Sequence, residues 1–462
     1  RRRRPDGADF MADAPLTRDD LIGVMAAGIK PRDQWRIGAE HEKFGFDRTT
    51  LRRPAYDGPS GIHAMLDSLT RFGWSPVLEA GHMIALERTN PDGLTASISL
   101  EPGGQFELSG APLKDVHEIC DETGRHLMEV KSVADQLNLG FLGVGFDPLW
   151  AREDIPVMPK GRYGIMRAYM PKKGNLGLDM MLRTCTIQSN LDFESEADMV
   201  AKFRLSLALQ PIATALFANS PFTEGRPNGF LTARANVWTD TDPDRTGMLD
   251  FVFKDGFGFE AYADYALDVP MYFAKRGETY VDLSGQPFRT FMTDGLDALP
   301  GDRATLKDWK DHLTTLFPEV RLKSYLEMRG ADGGPWNRIC ALQAFWVGLL
   351  YDAPSQAAAW DLVKHWDIAD HERLRRDVTK LGLKAEVAGR TVRDLAVDLV
   401  TIARTGLKNR ARFSGGMVDE RGYLSELEDI AESGVTPAER LLDLYYGEWQ
   451  GDITRLYRDF AY

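Results

Sequence analysis

Four stretches of the chain alternate polar and apolar residues with the two-residue period of a β-strand: residues 36–43, 100–108, 184–192 and 325–329. Because successive side chains of a strand point to opposite faces, Glu40 and Glu42 share one face of the first stretch, and Gln105 and Glu107 share one face of the second. The opposite faces carry apolar residues, namely Ile37, Phe106, Leu108, Leu326 and Met328. The pattern predicts a sheet with one apolar side and one acidic side.

The stretch 184–192 fits the same sheet, since its polar positions also fall on one face: Thr184, Thr186, Gln188, Asn190 and Asp192. Such alternation is typical of antiparallel sheets with one polar face, whereas parallel sheets contain continuous apolar runs. Helical spacing of apolar residues predicts helices over 113–139 and 195–219, and Thr436 predicts the start of another helix. We therefore expect an α+β fold in which an antiparallel sheet is flanked by helices.

Five carboxylates are predicted to gather on the acidic side of this sheet: Glu40, Glu42, Glu101, Glu107 and Glu327. Crowded carboxylates repel one another, and hard divalent cations that prefer oxygen ligands would neutralise them. The chain has neither a phosphate-binding G-x-x-x-x-G-K-[ST] motif nor a G-x-G-x-x-G motif after a strand, so metal ions and arginines would have to bind any phosphate. We expect a magnesium-dependent, nucleotide-using enzyme; the alternative is a solvated face with scattered salt bridges.

Four arginines are candidates for anion binding. Residues 231–247 are interpreted as a strand that enters a turn, with Arg234 and Arg245 placed to meet anions. Arg162 and Arg167 are similar candidates, although pairing with surface carboxylates is equally compatible with the sequence. These positions, with the acidic face, define the site that the sequence predicts.

Composition limits the class of protein. The chain has 462 residues, 43% of them hydrophobic, and a net charge of −13, which argues against nucleic-acid binding. Its apolar runs are too short to cross a bilayer, which takes about 20 residues. We expect residues 1–15 to be a flexible extension, either artificial or the remnant of an arginine-rich transit segment, and residues 16–462 to be a single catalytic domain.

Cysteine usage bears on the compartment. Three cysteines with no C-x-x-C spacing are typical of a reducing environment. This predicts a cytoplasmic protein, most simply in a bacterium. A plastid location stays open if the arginine-rich beginning is part of a transit segment.

Several longer strings resemble glutamate-cysteine ligase of the plant and proteobacterial type. They are residues 37–46 (IGAEHEKFGF), 101–110 (EPGGQFELSG), 208–213 (ALQPIA), 217–222 (FANSPF), 242–248 (DPDRTGM) and 325–336 (YLEMRGADGGPW). The resemblance extends from about Arg36 to the C-terminus. It implies a glutamine-synthetase-like fold in which a curved antiparallel sheet forms an active-site funnel.

The implied reaction joins the γ-carboxylate of L-glutamate to L-cysteine with ATP and Mg²⁺, through a γ-glutamyl phosphate, as the first step of glutathione biosynthesis. Three alternatives are a sister ligase with a different amine acceptor, a phosphotransferase such as a guanidino kinase, and a non-catalytic binding module. The loss of at least one glutamate would be expected of the binding module, and none is missing. The resemblance does not distinguish a monomer from a homodimer.

The family pattern also assigns roles to residues of this chain. It places Glu40, Glu42, Glu101, Glu107 and Glu327 in the magnesium shell, Arg234 and Arg162 at substrate carboxylates, and Tyr272 at the cysteine subsite. We further expect Arg167 and Arg329 to bind substrate, and Gln188, Asn190 and Arg245 to bind the nucleotide. The helices that carry Cys120 and Cys340 match one redox-sensitive disulfide of plant members, whereas a second pair is absent because Leu283 and residues 296–299 (LDAL) are not cysteines.

Overall fold

The computed structural model describes residues 15–462, and one antiparallel sheet of nine strands organises this part of the chain. The strands are β1 (Ile37–Asp47), β2 (Ser75–Glu79), β3 (His82–Thr89), β4 (Thr95–Leu100), β5 (Phe106–Ser109), β6 (Leu139–Leu142), β7 (Thr186–Leu191), β14 (Val320–Leu322) and β15 (Leu326–Asp332). Their spatial order is β14-β15-β7-β1-β5-β4-β3-β2, and β6 pairs with the second half of β1. The predicted antiparallel sheet is confirmed.

Short strands form small two-stranded sheets outside the main one. They are β8 (Phe222–Thr223), β9 (Arg226–Pro227), β10 (Thr246–Gly247), β11 (Phe273–Arg276), β12 (Thr279–Asp282), β13 (Phe317–Pro318), β16 (Glu386–Val387) and β17 (Arg390–Thr391). The pair β10–β13 is parallel, and the others are antiparallel.

Helices surround the sheet. They are α1 (Arg18–Ala26), α2 (Ile62–Leu69), α3 (Val116–Gln136), α4 (Gly161–Tyr169), α5 (Gly177–Arg183), α6 (Glu196–Leu216), α7 (Ala233–Val237), α8 (Phe259–Asp268), α9 (Phe288–Thr293), α10 (Leu306–Leu313), α11 (Trp336–Leu350), α12 (Ala353–Val363), α13 (Ile368–Leu381), α14 (Val392–Arg410), α15 (Ser425–Ser433), α16 (Pro437–Tyr446) and α17 (Thr454–Asp459). In the described part of the chain, none of them is both long and apolar enough to span a bilayer.

The helices α6 and α16 begin at the capping residues that the sequence predicts. The Ser195 hydroxyl accepts a hydrogen bond from the Asp198 amide at the beginning of α6. Thr436 and Glu439 form a reciprocal capping box before α16, whose first residue is Pro437. Such caps satisfy amides that have no partner within the helix.

The apolar side of the sheet faces the main core. α6 packs on β15, and α11 packs on β7 and α3, so that Ile37, Ile187 and Leu326 are completely buried. This arrangement leaves the opposite, polar side of the sheet free to line a cavity. An acidic side and an apolar side are thus separated as the alternation predicted.

Two predicted strands are wrong. The stretch 100–108 is not one strand, because β4 ends at Leu100 and a turn carries the chain into β5 at Phe106. Glu101 therefore lies in a hairpin turn, where the Gly104 amide donates to its carbonyl over 2.8 Å. The segment 231–247 contains the short helix α7 rather than a strand, because Thr232 caps the amide of Ala235 and starts a helical turn.

Candidate active site

A cavity of about 200 Å³ opens on the polar side of the sheet. Residues of β1, β5, β7 and β15 form its floor, and α4, α7 and the segment 314–321 form its walls. The charged residues that line it are Glu40, Glu42, Glu101, Glu107, Arg162, Arg234, Arg321 and Arg329. The structure thus brings most of the predicted site residues to one place.

Strand register sets the positions of three of these acids. Glu42 lies directly across from Glu107, and Glu40 lies across from Gln188 on the other side of β1. Glu42 accepts a hydrogen bond from the Thr186 amide at 2.9 Å, and Glu107 accepts one from the Ser99 hydroxyl at 2.6 Å. The carboxylates are therefore held by fixed donors on adjacent strands.

These acids hold protons more tightly than free carboxyl groups do. Burial, followed by the charges of Glu327 and Glu107, raises the pKa of Glu40 to about 7. Burial and the neighbouring carboxylates Glu101 and Glu107 raise the pKa of Glu42 well above its ordinary value, and burial also raises the pKa of Glu107. A cation bound among them would favour their ionised forms.

Glu327 has a different environment. It is completely buried, and its carboxylate lies 2.7 Å from Arg321, 2.8 Å from Arg329 and 3.3 Å from Lys323. Burial acts to raise the pKa of Glu327, but the three cations outweigh burial and hold that pKa well below the usual range. Glu327 is ionised and does not itself line the cavity.

Four of the five carboxylates predicted for the metal shell line the cavity, and the shell itself stays a prediction. Glu40, Glu42, Glu101 and Glu107 line the cavity, whereas Glu327 pairs with Arg321, Lys323 and Arg329 and does not line it. Within residues 15–462, no three acidic, histidine or cysteine side chains converge in a geometry that could hold a metal ion. The donors are chemically suited to Mg²⁺, which commonly takes one or two protein carboxylates and completes its shell with water and substrate phosphates.

Three predicted arginines reach the cavity. Arg162 comes from the first turn of α4, Arg234 from α7 and Arg329 from β15. Arg234 is anchored by a hydrogen bond that its Nη2 donates to the Arg329 carbonyl over 2.8 Å. The remaining donors of these guanidinium groups are suited to carboxylate or phosphate oxygens.

Other predicted residues lie elsewhere. Arg167 is exposed and does not line the cavity, although it shares α4 with Arg162. Arg245 is fully buried and donates to Asp242 and to two backbone carbonyls, and its guanidinium lies 3.9 Å from the centre of the Tyr272 ring. Tyr272 is also buried outside the cavity lining. The structure gives no support for direct ligand contact by these three residues.

Gln188 and Asn190 are the two predicted nucleotide ligands on β7. Gln188 lines the cavity and accepts a hydrogen bond from Arg329 at 3.3 Å. Asn190 does not line the cavity, and its side chain donates to Glu40 at 2.8 Å. Both side chains contact charged residues of the site, which indicates that they orient those residues.

Sequence reasoning missed Arg321, which lines the cavity and contacts Glu327 directly. Its Nη1 donates to the carbonyls of Thr314 and Leu316. The alternation of residues 320–323 (VRLK) could have identified it, since Arg321 lies on the polar side of the short strand β14 and Lys323 follows directly after that strand. Trp238 and Phe317 also line the cavity, but no spacing in the sequence identifies them.

Cys120 and Cys340 form a disulfide between α3 and α11, with Cα atoms 5.6 Å apart. Both residues are buried, and the Trp336 indole donates to the Cys120 carbonyl at 2.9 Å. The pairing agrees with the one that the resemblance implied. Its regulatory role stays a prediction.

Acids and arginines gather over an antiparallel sheet, an arrangement suited to an enzyme that binds a cation and anionic substrates. The sequence profile of glutamate-cysteine ligase family 2 matches residues 36–459. The chain belongs to this family. This confirms the predicted family and, with it, the predicted class of ATP-dependent carboxylate–amine ligase.

Curated relatives agree over almost the whole chain. The chain is 56% identical over 459 residues to the chloroplastic glutamate–cysteine ligase of Arabidopsis thaliana, which covers 99% of this chain and 85% of the relative. It is 55% identical over 449 residues to chloroplastic glutamate–cysteine ligase B of Oryza sativa subsp. japonica, which covers 97% of this chain and 88% of the relative. The predicted cytoplasmic location is wrong on this comparison, because these relatives are plastid enzymes.

A solved structure supports the fold. Glutamate–cysteine ligase from Francisella tularensis, crystallised in complex with AMP, superimposes with a TM-score of 0.56 at 11% sequence identity. The alignment covers 94% of this chain and 90% of the other. The predicted α+β, glutamine-synthetase-like fold is confirmed.

Proposed function

We propose that the cavity joins the γ-carboxylate of L-glutamate to the amine of L-cysteine in two steps. A carboxylate oxygen of glutamate attacks the terminal phosphorus of ATP, and ADP leaves. The cysteine amine then attacks the carbonyl carbon of the resulting γ-glutamyl phosphate, and inorganic phosphate leaves with the amide bond formed. The observation that carries this proposal is the gathering of four acids and four arginines in one cavity.

Arginines would supply the charge that both steps require. Phosphoryl transfer depends mainly on positioning and on neutralising negative charge that spreads over phosphate oxygens. Arg234 and Arg162, which line the cavity, would bind the glutamate carboxylates, and Arg329 would contact the transferring phosphoryl group. The hydrogen bond that Arg234 donates to the Arg329 carbonyl would hold the Arg234 side chain against β15.

The acids would hold the metal. Glu40, Glu42 and Glu107, with Glu101 from the neighbouring turn, supply the oxygen donors that Mg²⁺ prefers. When bound, Mg²⁺ would neutralise phosphate oxygens and act as a Lewis acid. Support for this assignment comes from the position of these carboxylates in one cavity, where a bound cation would favour their ionised forms.

The reaction can be tested by ADP release in a coupled assay. Release that requires glutamate, and that increases with cysteine and yields γ-glutamylcysteine by mass spectrometry, is the expected result. An equal response to another amine would indicate a sister ligase. ADP formation without an amide product would contradict the proposal.

A further inference from the structure

Asp332, the last residue of β15, is a buried carboxylate outside the lining of the cavity. It is 1% exposed. Its Oδ2 accepts hydrogen bonds from the Asn219 amide at 2.9 Å and from the Ser220 hydroxyl at 2.6 Å, and its Oδ1 accepts one from the Thr232 hydroxyl at 2.8 Å. Such donors satisfy a charge that burial has removed from water. The carboxylate therefore joins the end of β15 to the segment 219–220 and to the residue that precedes α7.

Two of these donors hold the first turn of α7. The Thr232 hydroxyl accepts a hydrogen bond from the Ala235 amide at 3.1 Å, and the Ser220 hydroxyl accepts one from the Arg234 amide at 3.2 Å. Amides at the start of a helix have no partner within that helix. Because each hydroxyl donates its own proton to Asp332, its oxygen is turned to accept from these amides. The first turn of α7 is thus tied to the end of β15.

Arg234 is attached to β15 at both of its ends. Its backbone amide is linked to Asp332 through the Ser220 hydroxyl, and its Nη2 donates to the Arg329 carbonyl over 2.8 Å. Burial lowers the pKa of Arg234, and the Asp332 carboxylate comes first among the charges that oppose this shift. The position of the Arg234 guanidinium in the cavity therefore depends on a carboxylate outside the cavity.

Two strings of the family resemblance meet at Asp332. They are residues 217–222 (FANSPF) and 325–336 (YLEMRGADGGPW). The Asn219 side chain donates to the Gly143 carbonyl at 3.1 Å and to the Gly333 carbonyl at 2.9 Å, which holds the two strings together. A Cβ atom at Gly145 would collide with the Asp332 carboxylate, so glycine lets the chain pass beside it. The carboxylate is therefore closely enclosed by backbone from several segments.

We propose that Asp332 and Thr232 are positioning residues for the substrate carboxylate: they hold the first turn of α7 and so place the Arg234 guanidinium where glutamate binds. The inference rests on the proposed function, which assigns that contact to Arg234. Neither Asp332 nor Thr232 lines the cavity, so both act through Arg234. Neither was given a role by the sequence pattern or by the family comparison.

Thr232→Val tests the link between the carboxylate and the helix. Valine has nearly the shape of threonine, but it can neither donate to Asp332 nor accept from Ala235. Thr232→Ser keeps the hydroxyl and is the conservative variant. Thr391→Val is the matched control, because the Thr391 hydroxyl caps α14 by accepting from the Asp394 amide at the same distance, 3.1 Å, and α14 does not line the cavity. Circular dichroism would verify folding, and the coupled ADP assay would give kcat and KM.

We expect Thr232→Val to lower kcat/KM for glutamate at least about tenfold, chiefly through a higher KM, because a displaced guanidinium binds the carboxylate poorly. The KM for ATP should change less than about twofold, since Arg234 is assigned to glutamate. Thr232→Ser should stay within about threefold of the wild type, and Thr391→Val within about twofold, although both valine variants lose a helix cap.

A double-mutant cycle separates positioning from a general disturbance. If Thr232 acts through Arg234, its hydroxyl has no guanidinium left to place once Arg234 is replaced by alanine. Thr232→Val should therefore lower kcat/KM for glutamate less than about twofold in the Arg234→Ala background. Asp332→Asn should show the same dependence on Arg234, and it tests the inference independently if Thr232→Val does not fold.

Unchanged kcat/KM for glutamate in a folded Thr232→Val protein would overturn the inference. A loss as large in the Arg234→Ala background as in the wild-type background would also overturn it, since Thr232 would then act by another route. An equal rise in the KM values for ATP and glutamate would do the same. Failure of the proposed function is recognised separately, because the wild type would then release no ADP in response to glutamate and cysteine, or Arg234→Ala would keep the wild-type kcat/KM.

Discussion

Asn190 donates a hydrogen bond from Nδ2 to Oε1 of Glu40 over 2.8 Å and so fixes the direction in which this carboxylate faces the cavity. The two residues lie on adjacent strands, β7 and β1, where Asn190 is opposite Gly38. A Cβ atom at position 38 would lie 3.1 Å from the Asn190 Cβ, so glycine there leaves room for the amide. Asn190 is thus a positioning residue, which affects the cavity by orienting the Glu40 carboxylate.

Asn190→Ala should lower kcat about tenfold, because a hydrogen bond to a charged group contributes roughly 1.5–3 kcal/mol. The KM values for glutamate and cysteine should change little, since Asn190 does not line the cavity. Steady-state kinetics would measure both. Ser189→Ala is the matched control on the same strand, because the Ser189 hydroxyl is buried without a hydrogen-bond partner. Full activity of Asn190→Ala would contradict the positioning role.

Glu42→Gln should reduce turnover by two or more orders of magnitude and leave the fold intact. The substitution keeps the shape of the side chain but removes one of the charges proposed to hold Mg²⁺. Circular dichroism would verify folding, and ADP release would be measured across a range of Mg²⁺ concentrations. Near-normal activity at saturating Mg²⁺ would be incompatible with the metal assignment.

Glu40→Gln should stabilise the metal-free protein in a pH-dependent way. The folded pKa of Glu40 is raised from 4.5 to about 7, so the folded state binds this proton more tightly than the unfolded state does. The wild type therefore loses stability relative to the variant as pH rises from about 4.5 to about 7, by up to about 3 kcal/mol. The difference should be constant above about pH 8.

Urea unfolding of both proteins in chelator at several pH values would measure this difference in free energy of unfolding. Comparing the two proteins at each pH cancels the titration of groups that do not interact with Glu40. If the stability advantage of Glu40→Gln over the wild type became smaller as pH rises, the predicted direction of the Glu40 pKa shift would be wrong. Added Mg²⁺ should stabilise the wild type more than Glu40→Gln.

Arg162 and Arg167 form an internal comparison on α4. Arg162→Ala should raise the KM for glutamate at least about tenfold, because a charge-assisted contact to a carboxylate contributes roughly 1.5–3 kcal/mol. Arg167→Ala should leave every kinetic constant within about twofold, since Arg167 is exposed outside the cavity. Equal effects of the two substitutions would contradict the proposal that Arg162 binds glutamate because it lines the cavity.

Reduction of the Cys120–Cys340 disulfide should lower the free energy of unfolding by roughly 2–4 kcal/mol, because the bridge closes a long loop between residues 220 positions apart. Chemical denaturation with and without a thiol reductant would measure the change. The double variant Cys120→Ser, Cys340→Ser should not respond to reductant. Cys185 is buried, and burial raises its pKa, so it should not react with alkylating agents in the folded protein.

Much of the sheet was predictable from short-range patterns. The alternation in 36–43, 184–192 and 325–329 identifies three adjacent strands and the face that each turns to the cavity. That inference needs only the two-residue period of a strand. It failed in 100–108, where two glycines at 103 and 104 make a turn that alternation alone does not reveal.

Arginine positions were less predictable. Arg234 and Arg245 occur in one segment, yet α7 carries Arg234 to the cavity, whereas Asp242 holds Arg245 in the core. The residues next to each arginine in the sequence do not indicate which one reaches the cavity. Their roles follow from which carbonyls and carboxylates lie within reach after the chain has folded.

The sequence by itself determined the acidic side of the sheet, its antiparallel character and the helix starts. These features depend on interactions between residues only a few positions apart in the chain. The tertiary structure decided that Glu40, Glu42 and Glu107 share a cavity while Glu327 is enclosed by Arg321, Lys323 and Arg329. The physical reason is that burial and charge pairing act between groups that are distant along the chain. Their pKa values, and hence their chemistry, are set by contacts that only the packed strands create.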